Sequence, residues 1–434
     1  MKKQIIGLLA AIFSALLLIG GAGCTANSEE TAMKNKEKIS VLIIGNSYSD
    51  DTIDLAYEVA KSAGINKIEI ADLYYGGCSI DQHVSFANGD LAKYIFRFFD
   101  ETGSLNVPTS IASGVELSTM KYGIQFKKWD YIVLQQQSIN SGIPSSYAKL
   151  DALIDYVKKT ALTPNVKLAF HMTWAGREGT NTAPYGGQAK MHEAIVSAVK
   201  EKIQPNDAFV KIIPNGTAIQ NARTSLIGDA LTRDSVSHLT LDLGRYIAAM
   251  TFVQTISGVD VSNISYAPNG LSSFQIAIAK ESVSNAIANP YEITKSEYDA
   301  FPSIIKGMEK RDLTFRRGYY NSMLVPTFYA DDNIAKAYYA TEQFTQKELP
   351  VGAIIYIENG YQYRPEGWKN GEKSNARPQT VKTQIIEITE EWWGTYTERA
   401  FNISAANNAP LTKTNAELNE IFRIYLPTNY NDPL

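Results

Sequence analysis

The sequence predicts a three-layer α/β fold with a parallel sheet, followed by a mainly antiparallel β domain. Two observations lead to this prediction. From Ile39 to about Pro290, short β-rich runs alternate with amphipathic helical patterns, the order typical of a parallel sheet covered by helices on both faces. After roughly Ser303, short aromatic β-like runs replace the helical patterns. We therefore expect two regions of different fold class.

Five runs in the first region predict the strands of the sheet: Ile39–Ile44, Lys67–Leu73, Tyr131–Leu134, Val166–Met172 and Phe209–Ile213. Helical patterns separate them. Ile53, Ala56, Tyr57 and Ala60 follow the i, i+3, i+4, i+7 spacing of one helix face, and similar patterns begin at Leu150 and Met191. We place this α/β domain at residues 39–290 and a connection at residues 291–314.

Residues 315–434 contain 11 of the 25 tyrosines and 3 of the 5 tryptophans. Four runs predict strands of a β-sandwich: Ala353–Ile357, Tyr361–Tyr363, Val381–Ile388 and Ile421–Leu426. Asn359-Gly360 predicts a hairpin between the first two. Aromatic side chains could form a sugar-stacking platform or simply the core, and they are Tyr361, Tyr363, Trp368, Trp392, Trp393 and Tyr396. If Trp392 and Trp393 lie in a strand, they face opposite sides of the sheet.

The amino terminus has the pattern of an export signal. Lys2 and Lys3 precede an apolar run over residues 5–19, which is too short for a comfortable membrane span, and small residues then lead to Cys24. This resembles a bacterial lipoprotein signal, although Gly21 stands where such signals usually carry leucine. We predict a signal peptide with a lipid-anchor cysteine over residues 1–24 and a flexible tether over residues 25–38. Simple secretion and an uncleaved anchor are the alternatives.

Composition excludes several classes of function. The chain has 44% hydrophobic and 20% charged residues, which is typical of a globular protein. Its formal charge of −4 gives no reason to expect a basic surface for nucleic acid. Apart from Cys24 the chain has only Cys78, so no internal disulfide is expected. Spacings typical of zinc sites or phosphate-binding loops do not occur, so we expect no metal and no cofactor.

Polar residues follow the predicted strands at their carboxyl ends, where an open parallel sheet binds its ligands. Ser47 follows the first strand, Gly77 the second and Gln135 the third. Asp234 and His238 follow the fifth strand, just before a predicted helix. We therefore expect these five residues to lie at one edge of the sheet.

This combination is what acyl transfer requires. A serine hydroxyl becomes a nucleophile when a histidine accepts its proton, and an aspartate on the other ring nitrogen fixes the histidine tautomer. We assign Ser47 as nucleophile, His238 as base and Asp234 as the orienting group. The backbone N–H groups of Ser47 and Gly77 and a glutamine amide could bind the oxyanion.

The order of these blocks, Gly45-Asn46-Ser47, Gly77, glutamines after the third strand and a late Asp/His pair, resembles the SGNH (GDSL-like) hydrolases. It is most similar to an uncharacterised family of secreted bacterial SGNH-like proteins, over roughly residues 39–285. The resemblance implies a flavodoxin-like sheet and metal-free hydrolysis of O-acyl groups on carbohydrates. His83 also matches that family's pattern. It could line the pocket or hold the loop, and of the two we favour the loop.

Two departures from the SGNH pattern leave alternatives open. Asp234 and His238 are four residues apart instead of three, so either the turn absorbs one residue or a backbone carbonyl orients His238 in a dyad. Glutamines replace the usual asparagine block; similarity to sialate and acetylxylan esterases favours Gln135 in the oxyanion hole, whereas direct overlay favours Gln137. For substrate contact we name Asn46, Gln137, His83 and Trp174, the last of which could equally pack the end of the sheet.

The sequence thus predicts a cell-envelope serine esterase, anchored in the membrane through Cys24, that removes O-acyl groups, most simply O-acetyl, from carbohydrates through an acyl-enzyme. The alternative is an inactive SGNH-like surface lipoprotein that binds glycans through its C-terminal β domain. Sequence gives no expectation for oligomeric state.

Overall fold

The structure is a computed structural model that describes residues 38–320, 326–328 (backbone only), 338–374, 379–382, 384–407 and 409–428. The predicted signal, Cys24 and nearly all of the tether lie outside these residues. The chain divides into two compact units. The first includes residues up to Pro268 together with Ala277–Glu297, and the second includes Asn269–Ile276 together with residues from Tyr298 onward. Within the described residues, no helix combines the length and apolar character needed to cross a membrane.

The first unit is an α/β domain. Its strands are β1 (Ile39–Gly45), β2 (Ile68–Tyr74), β3 (Ile95–Phe99), β4 (Tyr131–Gln135), β5 (Lys167–His171) and β6 (Phe209–Ile213). Its helices are α1 (Ser47–Ile53), α2 (Ala56–Ser62), α3 (Ile80–Asn88), α4 (Thr109–Ala112), α5 (Met120–Gln125), α6 (Leu150–Thr160), α7 (Gln188–Lys202), α8 (Asn215–Arg223), α9 (Leu243–Ser257) and α10 (Ser273–Ala288), the last of which begins in residues assigned to the second unit.

The six strands form one sheet in the order β3-β2-β1-β4-β5-β6. All neighbours are parallel except β2 and β3. The predicted α/β class and all five predicted strands are confirmed, each to within two residues at its ends. The antiparallel edge strand β3 was not predicted from the sequence. Leaving β3 aside, the parallel strands have the flavodoxin-like order, in which the direction of strand addition reverses between β1 and β4.

The central strands are buried on both faces. All seven residues of β1 and all five of β4 are buried, which explains their nearly continuous apolar sequence. One face packs Leu42, Ile44 and Leu134 against apolar residues of α3, α6 and α7. On the other face α1 and α9 pack together, and α9 is buried along most of its length. Ligand access is thereby left at the carboxyl ends of the strands.

The second unit consists mainly of antiparallel β-structure, as predicted. Its elements are α11 (Phe301–Ile304), β7 (Met308–Arg311), β8 (Phe315–Tyr320), β9 (Pro326–Phe328), β10 (Tyr338–Thr341), β11 (Phe344–Thr345), β12 (Ile354–Ile357), β13 (Tyr361–Lys369), β14 (Glu372–Lys373), β15 (Ile385–Glu387), α12 (Glu390–Trp393), β16 (Glu398–Ala405), α13 (Asn415–Ile421) and β17 (Phe422–Pro427). Strand β7 lies within the segment that we expected to be a connection.

These strands form two sheets. One has the order β14-β13-β16-β10-β8-β9 with β11 paired to β16, and the other has the order β15-β12-β17-β7. Their inner faces share one core, in which Tyr363 and Phe401 of the larger sheet meet Ile355 and Ile424 of the smaller. This arrangement is a β-sandwich.

One local prediction in this unit, the hairpin at Asn359-Gly360, was wrong, and the strand considered for Trp392 and Trp393 is a helix. The strands on either side of Asn359-Gly360 do not form a hairpin, because β12 pairs with β15 and β17 whereas β13 pairs with β14 and β16. Trp392 and Trp393 lie in the short helix α12 and not in a strand, because Thr389 caps that helix by accepting a hydrogen bond from the Trp392 N–H.

The six aromatic residues named as a possible platform, all of which the structure describes, do not form one exposed surface. Tyr363, Trp368 and Trp393 are buried in the protein. Trp392 and Tyr396 are half-buried, and the guanidinium of Arg399 lies over both rings, 4.5 Å and 4.2 Å from their centroids. This cation–π stacking occupies ring faces that a sugar would need.

Candidate active site

The candidate nucleophile lies in the turn that joins β1 to α1. Asn46 caps the helix by accepting a hydrogen bond from the Tyr48 N–H (3.1 Å), and its Nδ2 donates to the carbonyl of Cys78 (3.1 Å). Ser47 is the first residue of α1 and is half-buried. A Cβ on Gly45 would lie 2.5 Å from Oγ of Ser49, so glycine is needed for this tight turn. Asn46 is 2% exposed and therefore connects two loops instead of contacting substrate.

The candidate base and its carboxylate form a compact loop. Nδ1 of His238 lies 2.6 Å from Oδ2 of Asp234. Oδ1 of Asp234 accepts the backbone N–H groups of Val236 (3.1 Å) and His238 (3.0 Å). Ser237 between them adopts the left-handed conformation, with φ of 66°. This turn accommodates the extra residue, so the four-residue spacing still brings Asp234 to the imidazole.

The carboxyl group of Asp234 is the ionised partner in this pair. Partial burial favours the protonated acid, but the hydrogen bonds from the backbone N–H and ring of His238 outweigh it and lower the pKa of Asp234. A carboxylate on Nδ1 fixes the proton on that nitrogen and leaves Nε2 with its lone pair. His238 is therefore arranged to accept a proton at Nε2.

Helix α1 holds this loop through two side chains next to Ser47. The Tyr48 hydroxyl donates to the Val236 carbonyl (3.1 Å), and the Leu239 N–H donates to Oδ2 of Asp51 (2.7 Å). Asp51 lies four residues after Ser47, on the same helix face. That face of α1 is thus turned toward the segment that carries His238.

Asp51 is the centre of an ion cluster beneath the loop. Its carboxylate is 1% exposed and contacts two guanidiniums, Arg245 (2.7 Å) and Arg233 (3.2 Å). Arg233 precedes Asp234 in the loop, and Arg245 belongs to α9. Sequence reasoning missed both Tyr48 and Asp51, although the spacing of Asp51 from Ser47 could have suggested a shared helix face.

Trp174 supports the loop and is not exposed to a ligand. It is 0% exposed, its ring stacks on Tyr48 with centroids 4.1 Å apart, and its Nε1 donates to the Ser237 carbonyl (2.8 Å). The Ser237 hydroxyl accepts the backbone N–H of Arg177 (2.9 Å). We expected Trp174 to contact substrate, but its burial and its contacts indicate that it positions the His238 loop.

No hydrogen bond joins the Ser47 hydroxyl to His238. In the part of the chain that the structure describes, the Ser47 hydroxyl and Nε2 of His238 make no hydrogen bond at all. The backbone N–H groups of Ser47 and Gly77 are also free of described partners. Catalytic hydrogen bonds are often long in ligand-free enzymes and shorten when substrate binds.

The two candidate oxyanion glutamines have different surroundings. Nε2 of Gln137 lies 3.6 Å from the position that a Cβ on Gly77 would take, and its Oε1 accepts a hydrogen bond from Asn140 (2.8 Å). Gln135 is 0% exposed, and its Oε1 lies 2.6 Å from Nδ1 of His171. The amide beside the free Gly77 N–H is therefore that of Gln137, which changes our preference from Gln135.

The remaining histidines lie in the interior. His83 is 0% exposed, its Nδ1 lies 2.8 Å from the Tyr94 hydroxyl, and burial lowers its pKa to about 3. His192 of α7 is also buried, with 1% exposed. Neither can contact a substrate. Among the described residues, no group of three or more His, Cys, Asp or Glu side chains could hold a metal ion.

The fold and site together define an α/β protein with a serine at the β1 turn and an Asp–His pair at the same sheet edge. Residues 40–286, more than half of the chain, match the family described as domain of unknown function DUF4886. The chain belongs to this family, which agrees with the predicted resemblance to an uncharacterised protein family. The wider resemblance to SGNH hydrolases remains a prediction.

One solved structure agrees with this assignment, and two others resemble the chain only weakly. A DUF4886 family protein from Bacteroides uniformis ATCC 8492 is 35% identical, with a TM-score of 0.55, over 59% of this chain and 98% of that one. A candidate SGNH hydrolase from Slackia heliotrinireducens is 16% identical, with a TM-score of 0.33, over 50% of this chain and 98% of that one. A two-domain esterase active on acetylated mannans is 10% identical, with a TM-score of 0.31, over 93% of each chain.

The last two similarities are too weak to carry an argument about activity. No curated protein shows significant similarity to this chain.

Proposed function

We propose that this protein is a serine esterase that removes O-acyl groups from carbohydrates through an acyl-enzyme. One observation carries the proposal. The Asp234–His238 pair, joined at 2.6 Å, lies in a loop that hydrogen-bonds to the helix face bearing Ser47. An imidazole with an ionised aspartate on Nδ1 and a free Nε2 is the base that a serine nucleophile needs.

In the proposed reaction, Oγ of Ser47 attacks the ester carbonyl carbon and gives its proton to Nε2 of His238. The carbonyl π electrons move to oxygen and form a tetrahedral oxyanion. When the C–O bond to the sugar breaks, His238 returns the proton to the departing alkoxide, which leaves as an alcohol. Water, deprotonated by His238, then attacks the acyl-enzyme and releases the carboxylic acid, and Ser47 regains its proton.

Three donors are available for the oxyanion: the free backbone N–H groups of Ser47 and Gly77 and the amide of Gln137. Because they are fixed before substrate binds, they need no reorganisation when negative charge develops. Sugar hydroxyls would meet half-buried polar groups next to Gln137, namely Ser138 and Asn140. These polar neighbours favour an ester of a carbohydrate over an ester with a long apolar acyl chain.

Gln137 gives a direct test of the oxyanion assignment. We expect Gln137→Ala to lower kcat on p-nitrophenyl acetate by about 100-fold, the usual effect of losing one oxyanion donor, with little change in KM. Gln137→Glu, which keeps the size but places negative charge near the oxyanion, should lower kcat further. Steady-state kinetics with unchanged thermal stability checks this. Wild-type kcat in Gln137→Ala would remove Gln137 from the oxyanion hole.

Acetate release tests the proposed function itself. We expect the purified protein to release acetate from p-nitrophenyl acetate and from at least one of a set of acetylated plant, host and bacterial glycans, and Ser47→Ala to release none. Retained glycan binding with no acetate release from any substrate would favour the alternative, a glycan-binding protein with an inactive site.

The cellular setting is also a proposal. A lipid anchor at Cys24 would place the esterase at the cell envelope, where it meets polysaccharides. Metabolic labelling with a fatty-acid analogue should mark the wild type and not Cys24→Ala.

A further inference from the structure

His171 lies at the end of β5, directly beneath the nucleophile helix, and is 2% exposed. Its ring connects three elements. Nδ1 meets Oε1 of Gln135 at the end of β4 (2.6 Å), and Nε2 meets Nδ2 of Asn215, the first residue of α8 (3.0 Å). Nε2 also lies 3.3 Å from the hydroxyl of Thr52 on α1.

In the amide orientations that the structure records, the hydrogens of this network follow from donor and acceptor chemistry, while Nε2 of Gln135 and Oδ1 of Asn215 have no hydrogen-bond partner among the described residues. A carboxamide oxygen only accepts, so Nδ1 of His171 carries the proton and Nε2 is the acceptor. Asn215 Nδ2 then uses one hydrogen for Nε2 and the other for the Thr52 hydroxyl (3.0 Å). The Thr52 hydroxyl in turn donates to the Tyr48 carbonyl (2.9 Å). Burial lowers the pKa of His171 to about 3, so the ring stays neutral and keeps these roles at ordinary pH.

Two routes lead from this ring toward the candidate catalytic pair. On one, Thr52 bonds the carbonyl of Tyr48, the residue after Ser47, and the Tyr48 hydroxyl bonds Val236. On the other, the ring packs against Trp174 with centroids 6.1 Å apart, and Trp174 bonds the Ser237 carbonyl. His171 thus lies where the supports of the nucleophile and of the base meet.

We propose that His171, as a neutral Nδ1–H imidazole, is a positioning residue that sets helix α1 and its Ser47 in register with the His238 loop. The inference rests on the proposed esterase function. An error of one ångström in such a site can cost far more rate than stability, because the reacting atoms must approach within a narrow range. His171 never touches substrate, since it is buried.

His171→Phe removes the hydrogen bonds on both ring nitrogens and keeps an aromatic ring. We expect kcat on p-nitrophenyl acetate to fall about 10-fold or more, while KM stays within about threefold, because binding groups remain in place. The matched control is His83→Phe, because the ring of this equally buried histidine bonds the Tyr94 hydroxyl and not the Gly77 loop that we expected it to hold. It should lose similar thermal stability and keep wild-type kcat.

Two substitutions of Thr52 disturb the same network less and serve as the test if His171→Phe does not fold. Thr52→Val should lower kcat about 2- to 10-fold, the equivalent of one ordinary hydrogen bond, and Thr52→Ser, which keeps the hydroxyl, should restore it. Nitrogen NMR should find the His171 proton on Nδ1. Wild-type kcat in both His171→Phe and Thr52→Val, or a proton on Nε2, would overturn the inference. An inactive wild type would instead refute the proposed function.

Discussion

His238→Asn should lower kcat on p-nitrophenyl acetate by about 100- to 10,000-fold, the range that a positioned acid–base group contributes. The physical reason is that Ser47 in acylation and water in deacylation both lose their proton acceptor, whereas p-nitrophenolate leaves without needing a proton. KM should change little, because the imidazole acts in the transition state. Stopped-flow or steady-state kinetics with a circular-dichroism check of folding measures this effect.

Asp234→Asn is the matched companion of that variant. Its Oδ1 can still accept the N–H groups of Val236 and His238, so the loop keeps its shape, while the negative charge and the acceptor for the His238 Nδ1–H are lost. A triad predicts a loss of at least about 100-fold, because the amide no longer stabilises the imidazolium. A change below about threefold in Asp234→Asn, with a large loss in His238→Asn, would indicate a Ser–His dyad.

Asp51→Asn should lower the free energy of unfolding by about 3 kcal/mol, the lower end of the cost of breaking a buried ion pair. We use the lower end of this range because the side chain of Arg233 is 35% exposed to solvent. The side chain of Arg245 is 14% exposed. The substitution leaves two guanidiniums facing an amide and weakens the Leu239 N–H bond next to His238. Activity should therefore fall together with stability.

Asp54→Asn provides the control for that loss. Asp54 adjoins the end of α1, has Arg245 as its only ion-pair partner among the described residues and is 47% exposed, so its removal should cost less than about 1 kcal/mol. Urea unfolding of both variants measures the difference. Equal midpoints for the two variants would contradict the central role of the Asp51 carboxylate.

The sequence predicts the α/β unit well because its central strands are buried on both faces and therefore have strongly apolar sequences. We did not predict edge strand β3 because its burial alternates, so Ile95–Phe99 has no continuous buried run. The prediction of a hairpin at Asn359-Gly360 was wrong for a different reason. Turn chemistry is local, whereas the choice between two sheets of a sandwich depends on pairing with β16 and β17, which lie far along the chain.

For the candidate site, order along the chain predicts which residues reach the sheet edge but not what their side chains meet there. Gln135 and Gln137 are chemically identical, and only the structure shows that Gln135 is fully buried whereas the Gln137 amide lies beside Gly77. Trp174 and His83 illustrate the same limit, since their burial follows from packing with Tyr48 and Tyr94. Asp234 still reaches His238 because Ser237 adopts a left-handed conformation that shortens the turn. The sequence alone does not predict that conformation.

The central claim is that His238 activates Ser47, and covalent labelling with a fluorophosphonate tests it most directly. We expect one adduct per chain, located on the peptide that contains Ser47, with labelling slowed at least about 100-fold in folded His238→Asn. Labelling of Ser47 at the same rate in both proteins, or no labelling of Ser47 in the wild type, would contradict the account.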